Sequence, residues 1–417
     1  MNEWKKVKLG ELYEVHNGLS KGRQFFGSGY PFLTFSNVFN NWFLPEELES
    51  LVQSSEKERQ TCSIKKGDVF ITRTSETMDE LGMSSVALKD YPNATYNGFT
   101  KRLRPLTDEV IPEYIGYYLR SPKFRGKFMA FSTMTTRASL ANDDLLSMEV
   151  DIPEKAIQQR IATILSRYDS LIENYQKQIK LLEESAQRLY KEWFIDLRFP
   201  GHENVQIVDG VPEGWEVVTV DDLAGKLESG SRPKGGIDTS IKYGVASVGA
   251  ENVIGLGQYN FSSEKLVTYD FYSNAKRGKI ENKDILIYKD GAYIGRTSLF
   301  QDNFPHKKAM VNEHVFLLHT KKEVNQYFLF FTLYQKVYFE KMQKLNKNAA
   351  QPGINQDAIK SIKLLMPNER LIVLFDEIIS PMMKVLFDLA IQIHNLTEAR
   401  DRLLPKLISG EIEVKIQ

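Results

Sequence analysis

After Pro153 the apolar or neutral positions fall at Ile157, Ile161, Ile164, Tyr168, Leu171, Tyr175, Ile179, Leu182, Ala186, Leu189 and Trp193. Their steps are 4-3-4-3-4-4-3-4-3-4. The same steps recur after Pro367, at Leu371, Phe375, Ile378, Met382, Val385, Leu389, Ile393, Leu396, Arg400, Leu403 and Leu407, with Arg400 the one polar intruder. An alternation of threes and fours is the seam of a coiled coil, and the doubled four is a stutter that locally unwinds it. Two seams with the same irregularity stay in register when paired. A helix over residues 157–194 would extend about 57 Å, too long for a block of about 150 residues to cover by itself. The two helices are therefore expected to pack on each other, the chain folding back on itself. Proline costs around 3 kcal/mol inside a helix, so Pro381 predicts a discontinuity between residues 377 and 382.

The remainder of the chain also occurs twice. Glu3-Trp4-Lys5-Lys6-Val7, leading to Leu9-Gly10-Glu11-Leu12, finds Gly214-Trp215-Glu216-Val217-Val218, leading to Val220-Asp221-Asp222-Leu223. The run Ile64 to Ile71, with Asp68, finds Ile280 to Ile287, with Asp284. Met148–Pro153 finds Ile362–Pro367. A period this long is not a solenoid repeat; it describes two copies of one domain, each followed by one long helix. Within each block Val69–Thr72, Val86–Leu88, Ile285–Tyr288 and Val315–His319 are short β-prone runs bounded by turn residues, and Pro112–Arg120 and Asn325–Gln335 read as helices. The predicted class is α+β: two similar globular domains separated by two long helices in an antiparallel coiled coil. The boundaries are 1–152, a helix over 153–198, a linker over 199–212, a second block over 213–366, and a distal helix and tail over 367–417.

Composition narrows the chemistry. The 417 residues carry 54 basic and 54 acidic side chains, so no global field advertises a nucleic-acid partner and any such site is a local patch. The lone Cys62 excludes an intramolecular disulfide framework, a Cys-rich zinc site and an iron–sulfur cluster. The start MNEWKKVKLG lacks a signal-peptide core, and Leu371–Ile391 is broken by Asp376, Glu377, Lys384 and Asp388, so a cytoplasmic protein without a membrane span is expected. No nucleotide-binding phosphate loop, HExxH or GxSxG motif appears, nor the NPPY, DPPY or FxGxG signatures of an amino-methyltransferase. The pairs Asp143-Asp144 and Asp221-Asp222 read as helix caps or solvated faces rather than metal ligands. With every common catalytic class absent, a binding protein without catalysis, cofactor or metal is favoured.

Local basic clusters at comparable places in both copies suggest what is bound. Lys21 and Arg23 lie in an early Gly-containing loop, as do Arg232 and Lys234. Arg73 follows the first Asp-headed strand, and Lys289 follows its counterpart, with Tyr293 beyond. Lys101 and Arg102 sit in a probable strand. Thr135, Thr136 and Arg137 occupy a polar loop before the last strand of block one, matched by Lys347, Asn348 and Gln351 in block two. Lys and Arg anchor phosphates, while Asn, Gln, Thr and Arg read base edges, so these fifteen residues are the candidate DNA contacts.

Two variable blocks, each followed by a long helix, resemble the specificity subunit of type I restriction-modification systems. The motif from Leu396-Thr397-Glu398-Ala399-Arg400-Asp401 through Leu404-Pro405-Lys406-Leu407 to Gly410-Glu411-Ile412-Glu413-Val414 resembles that family's C-terminal signature. Gln351-Pro352-Gly353-Ile354-Asn355-Gln356, and Asp284 to Gly291 with Gly295, resemble parts of its target-recognition domains. Block one departs, with Ser139-Leu140-Ala141-Asn142 and Thr72–Glu80 at the corresponding places. The resemblance implies two target-recognition domains that each read half of a split double-stranded DNA site. It implies helices that set the spacer and dock two methyltransferase (modification) subunits binding S-adenosylmethionine, in a complex that admits an ATP-using restriction subunit. Ile161, Tyr168, Leu171, Tyr175, Leu182, Leu189, Phe375, Met382, Leu389, Leu396 and Leu403 would carry the coiled-coil and partner packing. The alternative is a coiled-coil assembly protein with no DNA role; an enzyme acting alone would need a donor-binding motif and more chain.

Overall fold

The computed structural model of the chain describes residues 4–75, 81–131, 133–134, 138–139, 141–291, 293–322, 324–345 and 353–415. Two compact units emerge, one of Met1–Ser170 with Leu396–Gln417 and one of Leu171–Asn395. Both follow one plan. In the first, Lys5–Lys8 pairs antiparallel with Glu149–Ile152, so the ends of the block close on each other. A four-stranded antiparallel sheet runs in the order Tyr13–Asn17, Thr100–Pro105, Val69–Thr72, Ser84–Val86. A second sheet orders Leu51–Val52, Phe26–Leu33 and Thr95–Tyr96, with the last pair parallel. In the second unit Glu216–Thr219 pairs with Lys363–Met366. The four-stranded order is Ala224–Ser229, Val315–Thr320, Ile285–Tyr288, Thr297–Leu299. The smaller sheet is Lys265–Val267, Val245–Val248, Ala309–Val311, again with the last pair parallel.

The repeated Asp explains why these sheets form alike. Val69, Phe70 and Ile71 are buried, as are Ile285, Leu286 and Ile287, so both faces of each central strand are covered. Just ahead, Asp68 Oδ2 accepts from the Lys65 amide (2.7 Å), and Asp284 Oδ2 accepts from the Glu281 amide (2.8 Å), closing the same turn. Both carboxylates are fully buried and need partners. Asp68 has Arg104 at 2.6 Å, and Asp284 has His319 Nδ1 at 2.7 Å. Asp143 and Asp144 lie in the first turn of Asn142–Ser147, and Asp222 closes a capping box with Thr219. Those acidic pairs sit at helix starts.

The first long helix spans Lys155–Tyr190 and continues as a π-helical turn, Lys191–Ile195; the second spans Glu369–Ser409. Inside the first unit Ile161 and Leu165 share a core with Leu404, Leu407 and Ile408, and Asp169 meets Arg400. Inside the second, Ile179 and Ala186 share a core with Leu386 and Ala390, and Phe194 stacks edge-on against Phe375, with ring centroids 5.1 Å apart. In each unit, positions advance along one helix as they fall along the other, so the pairing is antiparallel.

Two expectations about the helices are corrected. The second helix is continuous through Pro381. Proline removes one donor, and the residue whose carbonyl it leaves unpaired, Glu377, is exposed, where water can take that bond. The buried stripe is also wider than the counted seam. Ile161, Phe375 and Leu389 are buried, and Tyr168, Tyr175, Leu182, Leu189, Met382, Leu396 and Leu403 are partly buried, but Leu171 is exposed. Leu165, Ile379, Met383 and Leu386, each one residue on from a seam position, are buried as deeply as Ile161 and Phe375. The cause is that each helix is covered on two sides. Tyr190, for example, packs against Phe375 of the other helix and also against Phe328 and Phe331 of the block. Among the described residues no helix is long and apolar enough to cross a membrane.

Candidate nucleic-acid interface

The two blocks repeat one loop geometry at the same end of their central sheets. Asn97 follows the strand Thr95–Tyr96, and Asn312 follows Ala309–Val311. Each Asn side chain bonds the chain two residues on, the local turn that Asn favours. Asn97 Oδ1 accepts from the Phe99 amide at 2.6 Å, and Asn312 Oδ1 accepts from the His314 amide at 2.9 Å. The Asn amides donate to Leu33 O and Val248 O, each at 3.0 Å. The tips are tied down in the same way. The Arg73 amide donates to Phe99 O (3.0 Å), and the Lys289 amide donates to His314 O (3.1 Å). The residues flanking the Asp-headed strand and the residues of the Asn turn therefore form one cluster in each unit.

In the second unit the cluster is dense with charge. His314 Nδ1 lies 2.8 Å from Asp290 Oδ2, and Arg232 Nε lies 3.0 Å from Glu313 Oε1. Lys289 Nζ donates to the Glu313 carbonyl at 2.9 Å. Arg232, Lys289, Asp290, Glu313 and His314 are thus brought together. Asp290 also bridges Gly353, at the start of the described part of the loop that holds the Gln351 candidate. Tyr293 is exposed, with the Arg296 guanidinium 4.0 Å from its ring centroid. Lys234 is exposed in the Gly-rich loop. In the first unit Arg23 is exposed, and Arg73 Nη1 reaches Asn17 Oδ1 at 3.5 Å.

Three candidate contacts are corrected because the fold consumes them. Lys101 and Arg102 are 5% and 2% exposed. Lys101 Nζ donates to Asn142 Oδ1 at 2.5 Å, and burial holds its ammonium below the usual lysine range. Arg102 Nη1 donates to the carbonyls of Thr61 and Ser63 and lies over Tyr96. Lys21 pairs with Glu58 at 2.8 Å and donates to the Gln53 carbonyl, pinning its own loop. That ammonium, foremost among several bonds, draws Glu58 below the usual carboxylate range. Thr135, Thr136, Arg137, Lys347, Asn348 and Gln351 lie outside the described residues.

Asn97, Phe99, Asn312 and His314 are not among the candidates from the sequence, whereas Asp290, next to Lys289 after the second Asp-headed strand, is a further one. Asn97-Gly98-Phe99 and Asn312-Glu313-His314 share a single identity, and the likeness lies in backbone bonds. The available signal was an Asn placed just before the strand in both copies. Among the described residues no group of three or more His, Cys, Asp or Glu side chains could hold a metal ion.

Two repeated sheet blocks, each presenting a rigid polar and aromatic loop cluster and each carrying part of a paired helical scaffold, define a two-headed recognition protein. Comparison with known proteins supplies the family. The family model described as the type I restriction modification DNA specificity domain matches residues 1–184 and 212–400. The chain belongs to that family, and its role is DNA sequence specificity in a type I restriction-modification system. It is 26% identical over 432 residues to the type I restriction enzyme MjaIX specificity subunit of Methanocaldococcus jannaschii, covering 99% of this chain and 94% of that protein. It is 24% identical over 483 residues to the HindI specificity subunit of Haemophilus influenzae, covering 99% and 100%. The fold is similar to the crystal structure of a type I restriction-modification S subunit from M. genitalium, with a TM-score of 0.56 and 16% identity over 97% of this chain and 96% of that one.

Proposed function

We propose that residues 1–152 and 213–366 are two target-recognition domains, each reading one half of a bipartite, asymmetric site on double-stranded DNA. The observation that carries this reading is the repeated Asn turn with its tied-down tip, which holds the same backbone in both blocks while the side chains around it differ. A common frame with different reading groups suits two unlike half-sites. Arg23, Arg73, Arg232, Lys234, Lys289 and Tyr293 are the described contact residues in this reading. Thr135, Thr136, Arg137, Lys347, Asn348 and Gln351 complete the set. Arginine and lysine supply phosphate anchoring, and the near-neutral chain relies on partner subunits for part of the DNA clamp.

The helices over 153–198 and 367–417, joined to the second block through 199–212, fix the spacing between the half-sites in this reading. Rigid geometry makes spacer length a property of helix length. The helices also dock two methyltransferase subunits. Support comes from apolar side chains left exposed on them, Leu171, Leu181, Ile378 and Val385, which the chain's own core does not use. The chain itself is non-catalytic and cytoplasmic; S-adenosylmethionine belongs to the modification subunits, and ATP to a restriction subunit where one joins. Replacing residues 213–366 with the matching domain of another family member tests the division of labour. Sequencing methylated bases in the host should show one half-site changed and the other kept, with the same spacer. A change in both halves would overturn the modular reading.

A further inference from the structure

Phe99 and His314 occupy the same place on the same turn, and their chemistries differ completely. The position is not needed for core packing, because one copy fills it with a large apolar ring and the other with a polar one. Phe99 is nonetheless 57% exposed on a loop that is held firmly. Its amide is bound by Asn97 Oδ1, its carbonyl by the Arg73 amide, and Thr100 Oγ1 donates to Asn97 O at 2.7 Å. These three bonds fix the backbone of the tip, and from that backbone the ring projects into water. Cationic Arg73 stands beside it, suited to a phosphate.

The geometry points to Phe99 as a base-reading residue, whose ring packs against the 5-methyl group of a thymine in the half-site read by the first block. This rests on the proposed role of the blocks as DNA readers. His314, at the equivalent place, has Nδ1 held by Asp290 at 2.8 Å, and in this proposal its ring hydrogen-bonds a base edge with the tip at the groove floor. A phenyl ring brought to that floor by the same backbone has no donor or acceptor to offer. The one apolar feature displayed there is the thymine methyl, on the major-groove edge. Phe99 would thus select thymine by contact and by exclusion of a more polar edge.

The test uses the full chain assembled with its modification subunits, with methylated sites mapped by sequencing and affinities measured on the mapped duplex. Phe99→Ala should leave the melting temperature unchanged, since the ring is exposed. It should relax one thymine position of one half-site by roughly five- to hundredfold, the range of a single base-pair mismatch. Phe99→Leu should retain part of that preference. Deoxyuridine in place of that thymine removes only the methyl; it should weaken the native complex by a similar factor and leave the Phe99→Ala complex indifferent. His314→Ala should disturb only the other half-site. Full discrimination at every position in the Phe99→Ala complex would overturn the proposal while leaving the two-domain reading intact. So would deoxyuridine tolerated without loss by the native complex. A native complex with no sequence preference at all would overturn the parent reading, and this proposal with it.

Discussion

Arg400 Nη1 lies 2.6 Å from Asp169 Oδ1, joining the second long helix to the first inside the first unit. Arg400 is the polar intruder in an otherwise apolar seam, and it is fully occupied there. Its guanidinium sits 5.1 Å from the Trp42 ring centroid and also bonds Asp401, while Tyr117 Oη donates to Asp169. Removing one member of a partly buried charge pair strands the other. Arg400→Ala should therefore destabilise the fold by about 2–4 kcal/mol, near the range for broken buried pairs. A double-mutant cycle with Asp169→Asn, read by urea denaturation, should give a coupling energy of about 1 kcal/mol or more. Additive effects of the two substitutions would show that the pair behaves like a surface salt bridge.

That pair also shows what was legible in advance. The position of Arg400 in the seam is visible in the sequence, but Asp169 is off the counted stripe and reveals itself only as a neighbour in space. The helices and their antiparallel pairing were legible because their periodicity is long and regular. The added burial of Leu165, Ile172 and Met383 beside the seam is not, because periodicity cannot distinguish a helix covered on one side from one covered on two. Lys101 and Arg102 read as part of a DNA-facing strand, yet this strand is central in its sheet and their side chains bond Asn142, at the start of a helix, and the Thr61 and Ser63 carbonyls. The Asn turns are not legible in the sequence because their common element is a set of main-chain bonds.

Lys101 and Arg102 should accordingly behave as structural residues. Arg102→Ala removes a donor from the Thr61 carbonyl and one of two donors from the Ser63 carbonyl, which keeps Arg104, and opens space beside Tyr96. A loss of about 2–3 kcal/mol in unfolding free energy is expected from a buried network broken on one side. The folded fraction should bind DNA with native affinity and an unchanged salt slope. A reduced slope at full stability would return Arg102 to the set of phosphate contacts.

Arg232→Ala should act in the opposite way. Arg232 is exposed and pairs with Glu313, so its loss should alter stability by less than about 1 kcal/mol. DNA affinity should fall for all sequences, with the salt-dependence slope reduced by about 1, as for one lost phosphate contact. An affinity and a salt slope equal to those of the native chain would remove Arg232 from the interface.

Glu183 offers a test of the second unit by pH. It lies on the first long helix, where Tyr334 Oη donates to its Oε1 at 2.6 Å. Burial pushes its carboxyl above the usual range, outweighing the bonds from Tyr334 and Gln187. Between the unfolded and folded values the native state holds more protons, so stability falls as pH rises through that interval. The favourable contribution is complete below the ordinary carboxylate value and lost above the raised one. Glu183→Gln keeps the acceptor for Tyr334 and abolishes the titration. The native chain should therefore gain stability relative to Glu183→Gln as the pH is lowered from 7 toward 4.5, measured by urea midpoints. A constant difference across that range would mean the carboxyl is unshifted.

Leu171 and Ile172, adjacent on the first long helix, separate folding from partner docking. Leu171 is 44% exposed and Ile172 is 9% exposed, although the counted seam placed Leu171 inside. Ile172→Ala removes buried apolar volume and should cost about 2–4 kcal/mol, whereas Leu171→Ala should cost less than about 1 kcal/mol. If the exposed apolar positions receive the modification subunits, the effects on assembly should reverse. Leu171→Asp, combined with Leu181→Asp on the same helix, should leave the urea midpoint close to native but weaken co-purification of the modification subunits at least tenfold. A charge placed in an apolar contact carries a desolvation penalty that a folded surface in water does not. Native assembly of the doubly substituted chain would move the docking surface elsewhere. A collapse of stability would instead show that Leu171 is inside the seam where its spacing first put it.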